Sequence, residues 1–243
     1  MTDNKIDAFG RLLANAAETW PDRDALIFPE GRQTFAELYE RSILRAKQLI
    51  ALGVQPGEHV GILLPTSFEF VEIMFGIGLA GAVMVPINAR YRSNEITYLT
   101  ENADLVTIVA AGQVAEGVNF IERLGEGLPG LAGGDPWNAD VAVAPKLRNV
   151  LVLGGGAPGF LSEDDIADKV AAVTDDEVAA RRDAVDGSKM AMILYTSGTT
   201  SNPKGCMISS ASIVANGRAL AKGYEMTGDD VFWSPLPMFH LAK

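Results

Sequence analysis

Short runs that stay apolar at consecutive positions, separated by segments of helical spacing, restrict this chain more than any other property of its sequence. HVGILLP (59–65), AVMVPIN (82–88), LVTIVA (105–110) and NVLVLGG (149–155) do not alternate polar with apolar residues. A strand with one wet face must alternate, so these runs predict strands buried on both faces, as in a largely parallel sheet. Between them lie helical stretches: FAELYERSILRAKQLIALG, with Thr34 as cap and Gly53 as stop, FEFVEIMFGIGLAG behind Ser67, and SNEITYLTENA. The fold class expected is α/β, a sheet with helices on both faces.

Three further segments extend this pattern. ALIF (25–28) reads as a short strand before the turn PEGR, and KMAMILY (189–195) as another strand. The acidic stretch SEDDIADKVAAVTDDEVAARRDAV predicts a solvated pair of helices. From 111 to 148 the pattern gives way to glycine and proline, as in GEGLPGLAGGDPWNAD, which predicts a surface excursion or connector. At the far end VFWSPLPMFHLAK remains apolar, where free termini are ordinarily polar and frayed.

Charge and cysteine content exclude several functions. The 31 acidic residues outnumber the 20 basic ones for a net charge of -11, and no basic run exists to displace counterions from a phosphate backbone or an anionic membrane. The single cysteine, Cys206, forbids an internal disulfide and matches a reducing compartment; after the loop described next, it reads as a small core residue. FVEIMFGIGLAGAVMVPI (70–87) is interrupted by Glu72 and a glycine, so it reads as a buried helix leading into a strand rather than a membrane span. The N-terminus lacks the layout of a signal peptide and places Phe9, Leu12, Leu13 and Ala16 at helical spacing. A soluble, cytoplasmic protein is expected.

The chemistry concentrates in YTSGTTSNPKG (195–205), directly after an apolar strand. Glycines let backbone approach a ligand, amides and hydroxyls converge on one concavity, and Lys204 adds charge, a combination suited to a phosphate chain. It is not a P-loop: counted from Gly198, Pro203 falls where the second glycine belongs and Gly205 where the hydroxyl belongs. A formal G-x-G-x-x-G at Gly154, Gly156 and Gly159 is followed by FLSEDD, whose three acids oppose a pyrophosphate at that helix start, so a plain glycine turn is the preferred reading. Of the two histidines, His59 at a strand entry reads as structural.

YTSGTTSNPKG resembles the signature loop of the AMP-forming adenylating enzymes, which include acyl-CoA synthetases, luciferases and peptide-synthetase adenylation domains. It departs from their usual pattern at Ser201, where glycine is customary; if that position needs φ > 0, serine strains the loop by about 1 kcal/mol. PLPMFH (235–240) is similar to the family's P-x-x-H segment, and PDRDAL, TFAELYERSILRAKQL, GVQPGEHVGILLPTS and GAVMVPINARYRSNEITYLTENAD look like acyl-CoA synthetase N-terminal regions in order and spacing. The resemblance implies that a carboxylic acid attacks the α-phosphorus of ATP to give acyl-AMP and pyrophosphate, and that CoA then takes the acyl group. It implies that Thr196, Ser197, Gly198, Thr199, Thr200, Ser201 and Gly205 form the phosphate-binding loop, that Lys204 holds or releases pyrophosphate, and that Thr196 reaches Mg2+. His240 becomes a positioning residue between acyl pocket and α-phosphate, while Met238 and Phe239 read as core. Ser210 stands where these enzymes frequently carry histidine, and Ser209 or Ser210 caps the helix that follows.

The resemblance also implies segments that do not occur in these 243 residues: the glutamate that lines the acyl pocket, the aspartate that holds the ribose, the hinge, and the small C-terminal domain with its lysine. The expectation is a partial N-terminal adenylation domain spanning 1–243, with a connector around 111–148, inactive alone. The alternative is a non-catalytic phosphate-binding or interaction module derived from the same family. Substrate acid and oligomeric state are not legible.

Overall fold

The computed structural model describes residues 7–112, 118–196 and 202–239. Helix α1 (Phe9–Thr19) buries Phe9 and Leu13 and leads into an antiparallel hairpin, β1 (Asp24–Phe28) with β2 (Gly31–Thr34). The expected turn at PEGR is therefore the tip of a two-stranded ribbon. Helix α2 (Phe35–Ala51) starts at a capping box, in which Glu37 N–H donates to Thr34 Oγ1 while Thr34 N–H donates to Glu37 Oε2. Strand β3 (His59–Leu63) follows, then α3 (Phe68–Leu79), capped by Ser67, and β4 (Val83–Pro86). Next come α4 (Ser93–Asn102), β5 (Leu105–Ala111), α5 (Phe120–Gly127) and β6 (Asn149–Leu153). The remainder is β7 (Leu161–Ser162), α6 (Glu163–Ala172), α7 (Asp175–Ala184), β8 (Met190–Thr196), β9 (Lys204–Ser209) and α8 (Ser210–Gly223).

Seven strands form one sheet in the order β7-β6-β5-β3-β4-β8-β9, parallel throughout except for the antiparallel pairing of β9 with β8. Successive strand residues serve opposite faces. Val60, Ile62, Met84, Val109 and Leu151 pack with Phe70, Ile73 and Ile77 of α3 and Leu49 of α2. Leu63, Val83, Val85, Ile108 and Val150 pack instead with Ile96 and Leu99 of α4 and Phe120 and Leu124 of α5. The α/β class with helices on both faces thus stands as read from the two-sided burial of its strands.

Two expectations differ from the structure. The 111–148 stretch is no surface excursion where it is described: beside α5, it contributes Leu128, Leu131, Val141, Ala144 and Leu147 to the core, each at most 2% exposed. Its glycines and prolines bend the backbone between buried anchors. The acidic stretch forms the solvated pair of helices expected, α6 and α7, each anchored by one buried residue, Ile166 and Val178, and Glu163 reaches Arg45 at 2.7 Å. Cys206 is not a core residue; it is exposed on β9, the edge strand of the sheet. The glycine turn after β6 is as expected: Gly154 and Gly159 take φ of +71° and +83°, and a Cβ on Gly159 would overlap the carbonyl of Leu131. His59 is likewise structural, with Nδ1 2.6 Å from the carbonyl oxygen of Ala103.

Candidate functional site

Strand β8 ends at Thr196 and β9 begins at Lys204, and these two residues face one another in the ladder. The hydroxyl-rich loop is therefore the connection of a β-hairpin whose base is fixed by the pairs Thr196↔Lys204, Tyr195↔Gly205 and Leu194↔Cys206. Ser197, Gly198, Thr199, Thr200 and Ser201 lie outside the described residues, as does His240. Thr196, Lys204 and Gly205 are described and exposed. The Lys204 ammonium has no carboxylate partner among the described residues.

A second strand brings in the other motif. The loop after β3 presents Thr66, whose Oγ1 accepts a hydrogen bond from Met238 N–H at 3.1 Å. The described part of the P-x-x-H segment, Pro237 to Phe239, thus sits at the carboxyl end of β3, with Met238 and Phe239 half-buried against the core. Because β4 separates β3 from β8, and adjacent strands are about 4.8 Å apart, Thr66 and Thr196 follow strand ends about 10 Å apart on one edge of the sheet.

Helix α4 supplies contacts that the sequence did not reveal. The Tyr98 hydroxyl donates to the carbonyl oxygen of Pro203 at 3.1 Å, and the Tyr195 hydroxyl donates to Asn102 Oδ1 at 2.6 Å. Burial, with smaller contributions from Tyr98, Asp104 and Tyr91, pushes the Tyr195 phenol up to about 12, so it remains a hydrogen-bond donor at neutral pH. Gly205 has a local reason to be glycine: a Cβ there would lie 2.9 Å from Ile193 Cγ2 and 3.2 Å from Tyr195 Cζ. The Tyr195 ring occupies the space that a side chain at 205 would need.

Among the described residues no cluster of three or more His, Cys, Asp or Glu side chains is arranged to hold a metal ion, and no helix is long and apolar enough to cross a membrane. A protein-built cage for Mg2+ is thus not seen there. A separate open cleft is lined by Arg92, Ser93, Asn94, Arg123 and Glu126. Its polar groups are largely engaged, Ser93 with Glu126 and Arg123 with the carbonyls of Ala89 and Tyr91.

The model of the AMP-binding enzyme family matches residues 13–243. The chain belongs to that family. Among curated relatives of this chain, YngI of Bacillus subtilis is 29% identical over 234 residues, covering 95% of this chain and 42% of that protein. The long-chain-fatty-acid–CoA ligase FadD13 of Mycobacterium tuberculosis is 27% identical over 235 residues, covering 96% and 41%. The chain spans about 40% of the length of the curated relatives it matches. A crystal structure of the N-terminal domain of FACL13 from Mycobacterium tuberculosis, with inhibitor bound, superposes with a TM-score of 0.68 at 25% identity over 96% of this chain and 52% of that one. A solved structure from Rhodopseudomonas palustris shares the fold with a TM-score of 0.74 at 21% identity, covering 96% and 52%.

Proposed function

We propose that this chain is the phosphate-binding part of an ATP-dependent acid–CoA ligase, in which a carboxylic acid and ATP give acyl-AMP and pyrophosphate and CoA then accepts the acyl group. Residues 1–243 would form part of a larger N-terminal adenylation domain working in the cytoplasm. Thr196 and the loop residues Ser197, Gly198, Thr199, Thr200 and Ser201 would hold the β- and γ-phosphates. Lys204 would neutralise charge on the departing pyrophosphate, a task that is mostly electrostatic because little covalent chemistry falls to the protein in phosphoryl and adenylyl transfer. Mg2+, carried by the nucleotide, would screen the same oxygens with Thr196 as its protein contact. The carboxylate substrate is ionised at pH 7, so His240 would orient rather than deprotonate it.

The observation that carries this reading is that Lys204, which has no carboxylate partner among the described residues, pairs across the ladder with Thr196 at the base of the hairpin, at the strand ends that also receive the P-x-x-H segment. Titration of the chain with Mg·ATP tests it. Inorganic pyrophosphate should displace ATP better than AMP does, and Lys204→Ala should weaken binding about tenfold or more, the loss of a charge-assisted contact. Displacement by AMP alone, or an indifferent Lys204→Ala, overturns the phosphate assignment. Acid-dependent exchange of pyrophosphate into ATP should be absent with these 243 residues, since the acyl and ribose motifs do not occur in them; robust exchange with any carboxylic acid refutes that.

A further inference from the structure

The edge position of β9 raises a mechanical question for Lys204. Among the described residues only one side of that strand is paired, and the ladder that fixes it ends there at Thr196↔Lys204. A lysine at the first residue of an edge strand would be poorly registered unless something else held the chain just before it. Pro203 has no N–H, so its carbonyl is the one backbone hydrogen-bonding group available at that point. The Tyr98 hydroxyl takes it at 3.1 Å.

The other leg of the hairpin is held from the same helix. Asn102 lies four residues after Tyr98, on the same face of α4, and accepts from Tyr195, the residue before Thr196. Both grips come from a rigid body, since α4 is anchored in the core by Ile96 and Leu99, at 0% and 1% exposure. The ring of Tyr195 also lies over Gly205, the residue after Lys204.

We propose that Tyr98 is a positioning residue for Lys204, acting through the carbonyl of Pro203, with Asn102 and Tyr195 as the matching tether on the opposite leg of the hairpin. This rests on the phosphate-binding reading above for its functional meaning, but the tether itself is testable without nucleotide. Tyr98→Phe removes one oxygen and leaves the ring in place.

Amide hydrogen exchange of the peptide spanning 202–206 should accelerate about fivefold in Tyr98→Phe, the loss of one ordinary hydrogen bond, while exchange in β3 and β5 is unchanged. Affinity for Mg·ATP should fall by a similar factor. In the Tyr98→Phe background, Lys204→Ala should weaken Mg·ATP binding less than it does in the wild-type chain, because a lysine already displaced has less to lose. A merely structural tyrosine would leave the Lys204→Ala effect the same in both backgrounds, and that result, or unchanged exchange at 202–206, overturns the proposal. If the wild-type chain binds no Mg·ATP at all, the phosphate-binding reading fails by itself, and faster exchange would then reduce Tyr98 to a fold tether, which also overturns its positioning role.

Discussion

Truncating Glu72 to alanine should be among the most damaging single changes outside the candidate site. Glu72 and Arg45 are 4% and 8% exposed and meet across the α2–α3 interface, with Arg45 Nη2 and Nε at 3.0 and 3.1 Å from Glu72 Oε2. Gln33 Nε2 donates to the other carboxylate oxygen at 2.8 Å, while Gln33 Oε1 is buried without a partner among the described residues. Glu72→Ala leaves two guanidinium donors and one amide donor without this acceptor in a buried interface. Breaking a buried ion pair from one side costs about 3–5 kcal/mol. Because Arg45 keeps Glu163 at 2.7 Å and Gln48 at 3.2 Å, the lower end, about 3 kcal/mol, is expected. With a urea slope of about 3 kcal/mol/M, the unfolding midpoint followed by circular dichroism should drop by about 1 M. Glu163→Ala should cost only about 1 kcal/mol, since the Glu163 side chain is 39% exposed and water can replace it. The double replacement Arg45→Met with Glu72→Leu should return to within about 1 kcal/mol of the parent, because no buried charge is then orphaned. A midpoint shift under about 0.3 M for Glu72→Ala, or a double variant as weak as Glu72→Ala, refutes the reasoning.

Other perturbations give distinct readouts. The hydrogen bond from Arg148 holds Glu58 below its usual 4.5, against the opposing pull of burial. Its stabilisation is present above pH 4.5 and lost as pH falls through the lowered value, so the advantage in thermal midpoint of the wild type over Glu58→Gln should shrink below pH 4.5; a pH-independent gap would contradict this. Thr34→Ala removes the capping-box acceptor and should cost about 1 kcal/mol in the same urea assay, whereas the exposed Glu30→Ala at the hairpin tip should cost almost nothing. Cys206 should react with a thiol reagent in the native chain nearly as fast as in urea; protection by more than about tenfold would contradict its exposed place on β9.

The legible parts of the fold are those where one local rule decides the outcome. β3, β4, β5 and β6 declare themselves because burial on both faces forces apolar residues at consecutive positions, and α2 because Thr34 and Glu37 satisfy each other's backbone. β9 was hidden because KGCMIS is short and largely exposed, and it becomes a strand through pairing with β8 rather than through its own pattern. The 128–147 anchors were hidden because five buried apolar residues are scattered among glycines and prolines with no period to detect. In the candidate site, residue types alone single out the loop between β8 and β9 as the segment suited to phosphate, the reading proposed above. The Tyr98 contact was not, since it joins positions 105 apart in sequence and nothing in α4 distinguishes a tethering tyrosine from one that merely covers the core.

The topology gives an independent reason for the site to lie where these contacts gather. After β3 the chain passes through α3, which packs with the cluster around Val60 and Ile62; after β4 it passes through α4, which packs with the cluster around Leu63 and Val85. Adjacent parallel strands therefore send their helices to opposite faces, which makes the carboxyl ends of β3 and β4 a topological switch point. Ligands of open α/β sheets bind at such points. Thr66 follows β3 and accepts from Met238, and β8 ends next to β4 with Thr196 paired to Lys204. The two legs of the hairpin are tied to α4, the helix that leaves β4, by Tyr98 at the Pro203 carbonyl and by Asn102 at the Tyr195 hydroxyl. The helix that follows one strand of the switch point thus holds both legs of the hairpin beside it.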